Sequence, residues 1–162
     1  MRSPIKSPSD FPNSTKWREY IGRVGQKTFE LECAIKDITC IVPHDPLRMD
    51  AVIEKDGSLE KAQIKTAALR RATSGAKKKR NHRVQVANFH KGVAVPYTKE
   101  EVDYFVFYLL EYDKLYLIPA ELIIGRCTKS GDVSVYDREF YIPNKIRGIG
   151  KPSLDITEYG IW

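Results

Sequence analysis

Between Trp17 and Ile38 the apolar residues Trp17, Tyr20, Ile21, Val24, Leu31, Ile35 and Ile38 recur mostly at steps of three and four. That spacing predicts an amphipathic helix over residues 17–38 whose one apolar stripe can cover a sheet. Before it, residues 1–14 are rich in Ser and Pro and predict a poorly ordered arm. After it, CIVPHDPLR carries two prolines and suits a short strand followed by a turn. Met49–Ile53 and Ala62–Ala67 are short β-compatible runs on either side of Asp56-Gly57, a dipeptide that favours hairpin turns. Val84–Val95 reads as a strand, or a strand pair broken near His90-Lys91-Gly92.

The most apolar stretches, DYFVFYLL and KLYLIPAELI, predict two central strands, antiparallel about the polar turn Glu111-Tyr112-Asp113-Lys114. Their aromatic residues, from Tyr104 to Tyr116, read as packing groups. Residues 126–162 are rich in Gly, Pro and Tyr, with weak periodicity, and predict a loop-dominated cap. With no internal repeat and no second hydrophobic core in view, residues 15–162 form one domain, with its core over 17–125. The fold class is mixed α/β (α+β), a helix packed on a curved mixed sheet.

Composition narrows the class. A chain of 162 residues can bury roughly two thirds of the surface it exposes when unfolded, so it can fold without disulfides. No run approaches the ~20 apolar residues of a membrane helix, and the first residues lack the apolar centre of a secretory signal. An intracellular address with no membrane partner is the expectation. Cys33, Cys40 and Cys127 make no CxxC pair, and His44, His82 and His90 make no HxxxH pair, which argues against structural zinc and leaves the cysteines as small apolar fillers.

The net charge of +6 matters less than its placement. Residues 68–83 carry Arg70, Arg71, Lys77, Lys78, Lys79, Arg80 and Arg83 without one acid, the pattern of a solvated loop or extended ribbon facing a polyanion. Phosphate contacts give affinity but no sequence. Base edges would be read by loop arginines or by Gln85 and Asn88 on the following strand, since Arg pairs with guanine and Asn or Gln with adenine.

The chemistry concentrates in MDAVIEKDGSLEKAQIKTA. A hairpin turning at Asp56-Gly57 brings Asp50 close to residues 63–65, where Gln63 and Lys65 share one strand face and Ile64 takes the other. Mg²⁺ prefers oxygen ligands and keeps several waters. Asp50 offers a carboxylate, Gln63 an amide carbonyl and Ile64 a backbone carbonyl. Lys65 can orient or deprotonate an attacking water and offset charge growing on a phosphate.

This run resembles the PD-(D/E)xK nucleases, in which an acid is followed about a hairpin later by an acid-x-Lys pair. Gln63 stands in place of the second acid, followed by Thr66-Ala67, a basic loop, YTKEEVDYF and a Leu-Ile-Pro strand. That order is similar to the group I intron homing endonucleases of the superfamily, best known from cyanobacteria, and the resemblance covers about Gly22 to Ile123. In that family a Glu on the first helix, just after a Gly-x-x-Gly stretch, completes the site. Here Gly22-Arg23-Val24-Gly25 is followed by Gln26, with Glu30 one turn further on as the alternative.

The resemblance implies a Mg²⁺-dependent endonuclease acting on double-stranded DNA. It also implies a homodimer or homotetramer, since cutting two strands needs two sites. A restriction enzyme or junction resolvase of the same superfamily is the nearest enzymatic rival. A non-catalytic nucleic-acid-binding protein is the rival from another class.

Overall fold

A computed structural model describes residues 5–44, 49–70, 81–136, 140–143 and 153–160. Helix α1 spans Ser14–Ile35, starting three residues before the apolar stripe because the Asn13 side chain accepts a hydrogen bond from the Lys16 N–H at 2.9 Å. It also stops short of Ile38. Asp37 sits at a positive φ, and the Ile38 N–H returns to the Cys33 carbonyl at 2.8 Å, a closure that ends the helix. Ile21, Gly25, Phe29 and Cys33, four residues apart, form its buried face. Ahead of the helix, Pro8–Asp10 form a 3-10 turn, and the Phe11 ring lies 4.9 Å from that of Tyr20 and 5.6 Å from that of Trp17.

The chain then forms β1 (Cys40–Ile41), β2 (Ala51–Lys55) and β3 (Ser58–Ala67). The β2–β3 hairpin turns where expected, with Asp56 and Gly57 both at positive φ. A short β4 (Leu69–Arg70) pairs with β5 (Asn81–Gln85), so the base of the basic segment is an extended ribbon. The expected phosphate contacts Arg71, Lys77, Lys78, Lys79 and Arg80 lie outside the described residues. The expected break at His90-Lys91-Gly92 is a second tight turn, with Lys91 and Gly92 at positive φ, joining β6 (Ala87–His90) to β7 (Val93–Pro96).

β8 (Tyr104–Leu109) and β9 (Lys114–Pro119) are antiparallel. The strand expected to continue to Ile123 ends at Pro119, and residues Ala120–Ile123 instead make one helical turn, α2. Proline has no N–H to extend a ladder, and the Ala120 N–H bonds the Asp103 carbonyl at 2.8 Å. β10 (Asp132–Tyr136), β11 (Tyr141–Ile142) and β12 (Leu154–Asp155) follow.

Two five-stranded sheets result. The first has the order β1-β2-β3-β8-β9, with β3 and β8 parallel and the other pairs antiparallel, which makes it the mixed sheet expected. The second has the order β12-β11-β10-β5-β4. β8 explains how they stack, because its successive side chains point to opposite faces. Val106 and Tyr108 join Ile21, Phe29 and Cys33 under α1, while Phe105, Phe107 and Leu109 join Val84, Val133, Val135 and Ile142 from the second sheet and Ile156 just after it.

The expectation of a single core is therefore corrected: apolar layers fill both faces of the first sheet. Within the loop-rich C-terminal segment, β10 pairs with β5 along its whole length and places Val133 and Val135 in that second layer. Among the described residues, no helix is long and apolar enough to cross a membrane.

Candidate active site

β3 is longer than its hairpin partner. The last β2–β3 pair is Ala51 with Ala62, and residues 63–67 continue with β8 on one side only. A strand end of this kind exposes backbone groups that need partners. Asp50, the residue just before β2, supplies one. Its N–H bonds the Ala62 carbonyl at 3.0 Å, and its Oδ2 accepts the Ile64 N–H at 2.9 Å and the side-chain amide of Gln63. The convergence of Asp50, Gln63 and Ile64 is thus a consequence of unequal strand lengths.

Lys65 lies beside this group but bonds elsewhere, its Nζ donating to the Tyr97 hydroxyl at 3.2 Å. Burial pushes the Lys65 ammonium below its ordinary pKa, and the Asp50 carboxylate opposes that shift. Burial likewise raises the Asp50 carboxyl, against the Ile64 N–H, the Lys65 charge and the Gln63 amide. Both groups are thereby brought closer to neutrality, the condition under which a lysine can accept a proton and a carboxylate gains from a cation.

Helix α1 closes the site because Gly25 lets it sit directly on β3. A Cβ at Gly25 would stand 1.9 Å from Thr66 Oγ1. The neighbouring helical stripe, Glu19, Gly22, Arg23 and Gln26, then lines an open cleft of about 450 Å³ together with Asp50 and Ile64. Of the two candidates on α1, Gln26 therefore stands with Asp50. Glu30 bonds Lys27 Nζ at 2.6 Å and is not among the residues lining the cleft. It lies four residues, about 6 Å, further along the axis.

Glu19 and Arg23 were not singled out by sequence reasoning, although their spacing from Gln26 places all three on one helical face. Tyr97 was also missed. It stands alone after β7, and only the fold brings it to Lys65.

The remaining candidates divide. Arg83 and Gln85 are exposed on one face of β5, alternating with buried His82 and Val84. Arg83 already bonds Asp132 and lies 3.3 Å from Ser130 Oγ. Asn88 is half-buried, and its side-chain oxygen accepts the Tyr97 hydroxyl proton at 2.7 Å. Arg70 lies in β4, at the base of the ribbon. His82, expected to stand alone, is fully buried with Nε2 2.8 Å from Glu111 Oε2, while Glu111 Oε1 accepts the Leu69 N–H at 2.8 Å. That carboxylate ties the ribbon base to the turn between β8 and β9.

Hard oxygen donors make up the candidate metal set of the Asp50 carboxylate, the Gln63 amide and the Ile64 carbonyl, which suits Mg²⁺ better than a thiolate-seeking metal. Asp50 contributes its only carboxylate, and among the described residues no three His, Cys, Asp or Glu side chains are grouped to hold a metal. A site so poor in charge fits a cation whose shell is completed by phosphate oxygens and water. The raised Asp50 carboxyl is in keeping with that fit, since a nearby cation would reverse the shift.

A family described as PD-(D/E)XK endonuclease matches residues 18–147 of this chain. Among solved structures, a bacterial homing endonuclease, I-Ssp6803I, is similar in fold. Its TM-score is 0.59 at 21% sequence identity, over 91% of this chain and 89% of that one. No curated protein matches the chain in sequence.

Proposed function

The chain belongs to the PD-(D/E)XK endonuclease family, and from that premise we propose that it hydrolyses phosphodiester bonds in double-stranded DNA at specific sites, using Mg²⁺, as a homing-type endonuclease. The observation that carries the proposal is the meeting of Asp50, Gln63, Ile64 and Lys65 where β3 outruns β2, with an open cleft beside it.

In this reading Asp50, Gln63 through its side-chain oxygen and Ile64 through its carbonyl would hold Mg²⁺. Gln63 now turns its nitrogen toward Asp50 and would present its oxygen by rotating the amide. When bound, the cation withdraws charge from the phosphate and acidifies nearby water. The lowered proton affinity of Lys65 lets it take a proton from the attacking water as the new P–O bond forms. The bond from phosphorus to a sugar oxygen then breaks, and that oxygen takes its proton from solvent. Arg23 and Gln26 line the path of the strand and are suited to its phosphate oxygens.

Affinity for the duplex comes from the basic segment and from Arg83 and Gln85 on the exposed face of β5. Cutting both strands requires two such sites, hence a homodimer or homotetramer acting on intracellular DNA. The amides at positions 26 and 63 favour one other reading, a DNA-binding protein that no longer cuts.

Incubating a pooled library of long duplexes with and without Mg²⁺, for the wild type and Lys65→Ala, separates the two. Metal-dependent cuts at a discrete sequence, lost in Lys65→Ala, are the expected result. Equal binding by both proteins, with no cutting under any divalent metal, would make the chain a binder.

A further inference from the structure

We propose that Tyr97 is the positioning residue for Lys65, and that Asn88 fixes Tyr97 in that role, so that the β6–β7 hairpin is part of the active site's framework. The proposal rests on the nuclease reading for what Lys65 does, but on separate contacts for how it is held. Lys65 is half-buried, and an ammonium withdrawn even partly from water needs acceptors, or its burial is costly. The carboxylate nearest in charge, Asp50, spends Oδ2 on the Gln63 amide and the Ile64 N–H. The Tyr97 hydroxyl lies 3.2 Å from Lys65 Nζ and accepts from it.

A phenol has one proton and can also accept. Here the proton goes to Asn88 Oδ1 at 2.7 Å, which leaves the oxygen lone pairs for Lys65. Without Asn88 the hydroxyl could rotate its proton toward the ammonium and repel it. The amide orientation of Asn88 follows from the same network, since a phenolic donor requires the oxygen, not the nitrogen, to face it.

The ring is itself held. Tyr97 is 3% exposed and meets Phe105 edge-on at 5.6 Å and 76°, and Phe105 pairs in register with Gln63. Lys65 Nζ stands 5.3 Å from the centre of the Tyr97 ring, an additional cation–π attraction. Strand β3 thus carries Gln63 and Lys65, the residue just after β7 carries the ring that aims the lysine, and β8 carries the Phe105 ring that backs it. Asn88 lies on β6, so the small two-stranded sheet β6–β7 reaches the reacting centre through two hydrogen bonds.

Tyr97→Phe is the direct test, because it keeps the ring and removes only the hydroxyl. In protein carrying ¹³C-lysine, free of metal and DNA, the Lys65 ε-methylene resonance of the wild type should be displaced by the Tyr97 ring current. Its assignment would come from Lys65→Arg. Tyr97→Phe should return it toward the position of the exposed lysines. Asn88→Ala should do the same, and Asn88→Asp, which restores an acceptor for the phenol, should recover the displaced position.

In cleavage assays Tyr97→Phe should lower kcat about tenfold with KM nearly unchanged, the scale of one hydrogen bond to a charged group. A Lys65 resonance unmoved in both Tyr97→Phe and Asn88→Ala overturns the proposal, whatever the cleavage assay shows. A wild type that never cuts, but whose Lys65 resonance moves as described, overturns the nuclease reading and leaves this one standing.

Discussion

The two faces of the first sheet have opposite characters. Toward the second sheet, Phe105, Phe107, Leu109, Val133 and Ile142 are at most 1% exposed, and the layer is apolar. Toward α1 the packing is equally tight near Phe29 and Cys33, but it opens at one end into a cleft lined by Glu19, Arg23, Gln26 and Asp50. Both packed layers secure the fold, and the polar groups gather beyond them: Asp50 in the cleft beside α1, and Gln63 and Lys65 on the second-sheet side of β3, where Lys65 meets Tyr97. The site's position follows from this: it lies where β2 stops short and leaves the edge of β3 uncovered beside α1, so a carboxylate can be shielded enough to be tuned yet reached by substrate.

This contrast can be broken experimentally. Phe107→Ala should cost about 3–5 kcal/mol of stability, the range for a fully buried aromatic, read as a lowered denaturant midpoint. At temperatures where the variant stays folded, binding to DNA should be kept. A cost under about 1 kcal/mol would show that the second layer does not secure the fold.

Asp50→Asn should do the reverse, reducing cleavage by on the order of 10²–10³-fold, as removal of a principal charge-handling group does. Its stability follows from the direction of its pKa. Burial raises the Asp50 carboxyl, so the folded chain holds that proton more tightly than the unfolded one. Stability therefore falls as pH rises from the ordinary carboxylate value through the raised one. At neutral pH and without metal, Asp50→Asn should match or exceed the wild type in Tm, and Mg²⁺ should raise the Tm of the wild type alone. A Tm loss in the variant as large as that of Phe107→Ala would dissolve the distinction between the faces.

The smallest effect belongs to Glu111→Gln. Partial burial pushes the Glu111 carboxyl up, but hydrogen bonds from His82 and the Leu69 N–H outweigh it and hold the group below the usual carboxylate range. Its contribution is present above the unfolded carboxylate value and is lost as pH falls through the lowered one. The wild type should lead Glu111→Gln by a few degrees in Tm at neutral pH, with the lead vanishing in acid. A difference that persists at low pH would mean that the charge of Glu111 is not what ties down the ribbon.

Local signals made much of this legible in advance. The β2–β3 hairpin follows from Asp56-Gly57, and with it the meeting of Asp50, Gln63 and Ile64. The apolar period of α1 and the β8–β9 pair are equally local. What escaped depends on partners far apart in the chain. Val133 and Val135 are core residues only because β10 finds β5, and five residues among glycines and prolines carry too little period to announce that pairing. His82 has no companion in the sequence, since Glu111 reaches it only once β8 and the second sheet are stacked. Glu30 and Gln26 share a helical face, and their separation into one residue outside the cleft and one inside depends on where β3 ends against α1.

The parallel pairing of β3 with β8 has a consequence for how such a protein can diversify. Parallel neighbours need a long crossover, and here that crossover contains the whole ribbon of β4 and β5 and the β6–β7 hairpin. The surfaces we propose for DNA are thus an insertion between two strands that fix each other's register without them. Because the entropic cost of a longer loop grows only logarithmically, residues can be added to or lost from that crossover at small expense to the fold. In the proposed endonuclease, target preference can therefore drift by changes in length as well as in side chains, within the limit set by Asn88 and Tyr97, which position the lysine.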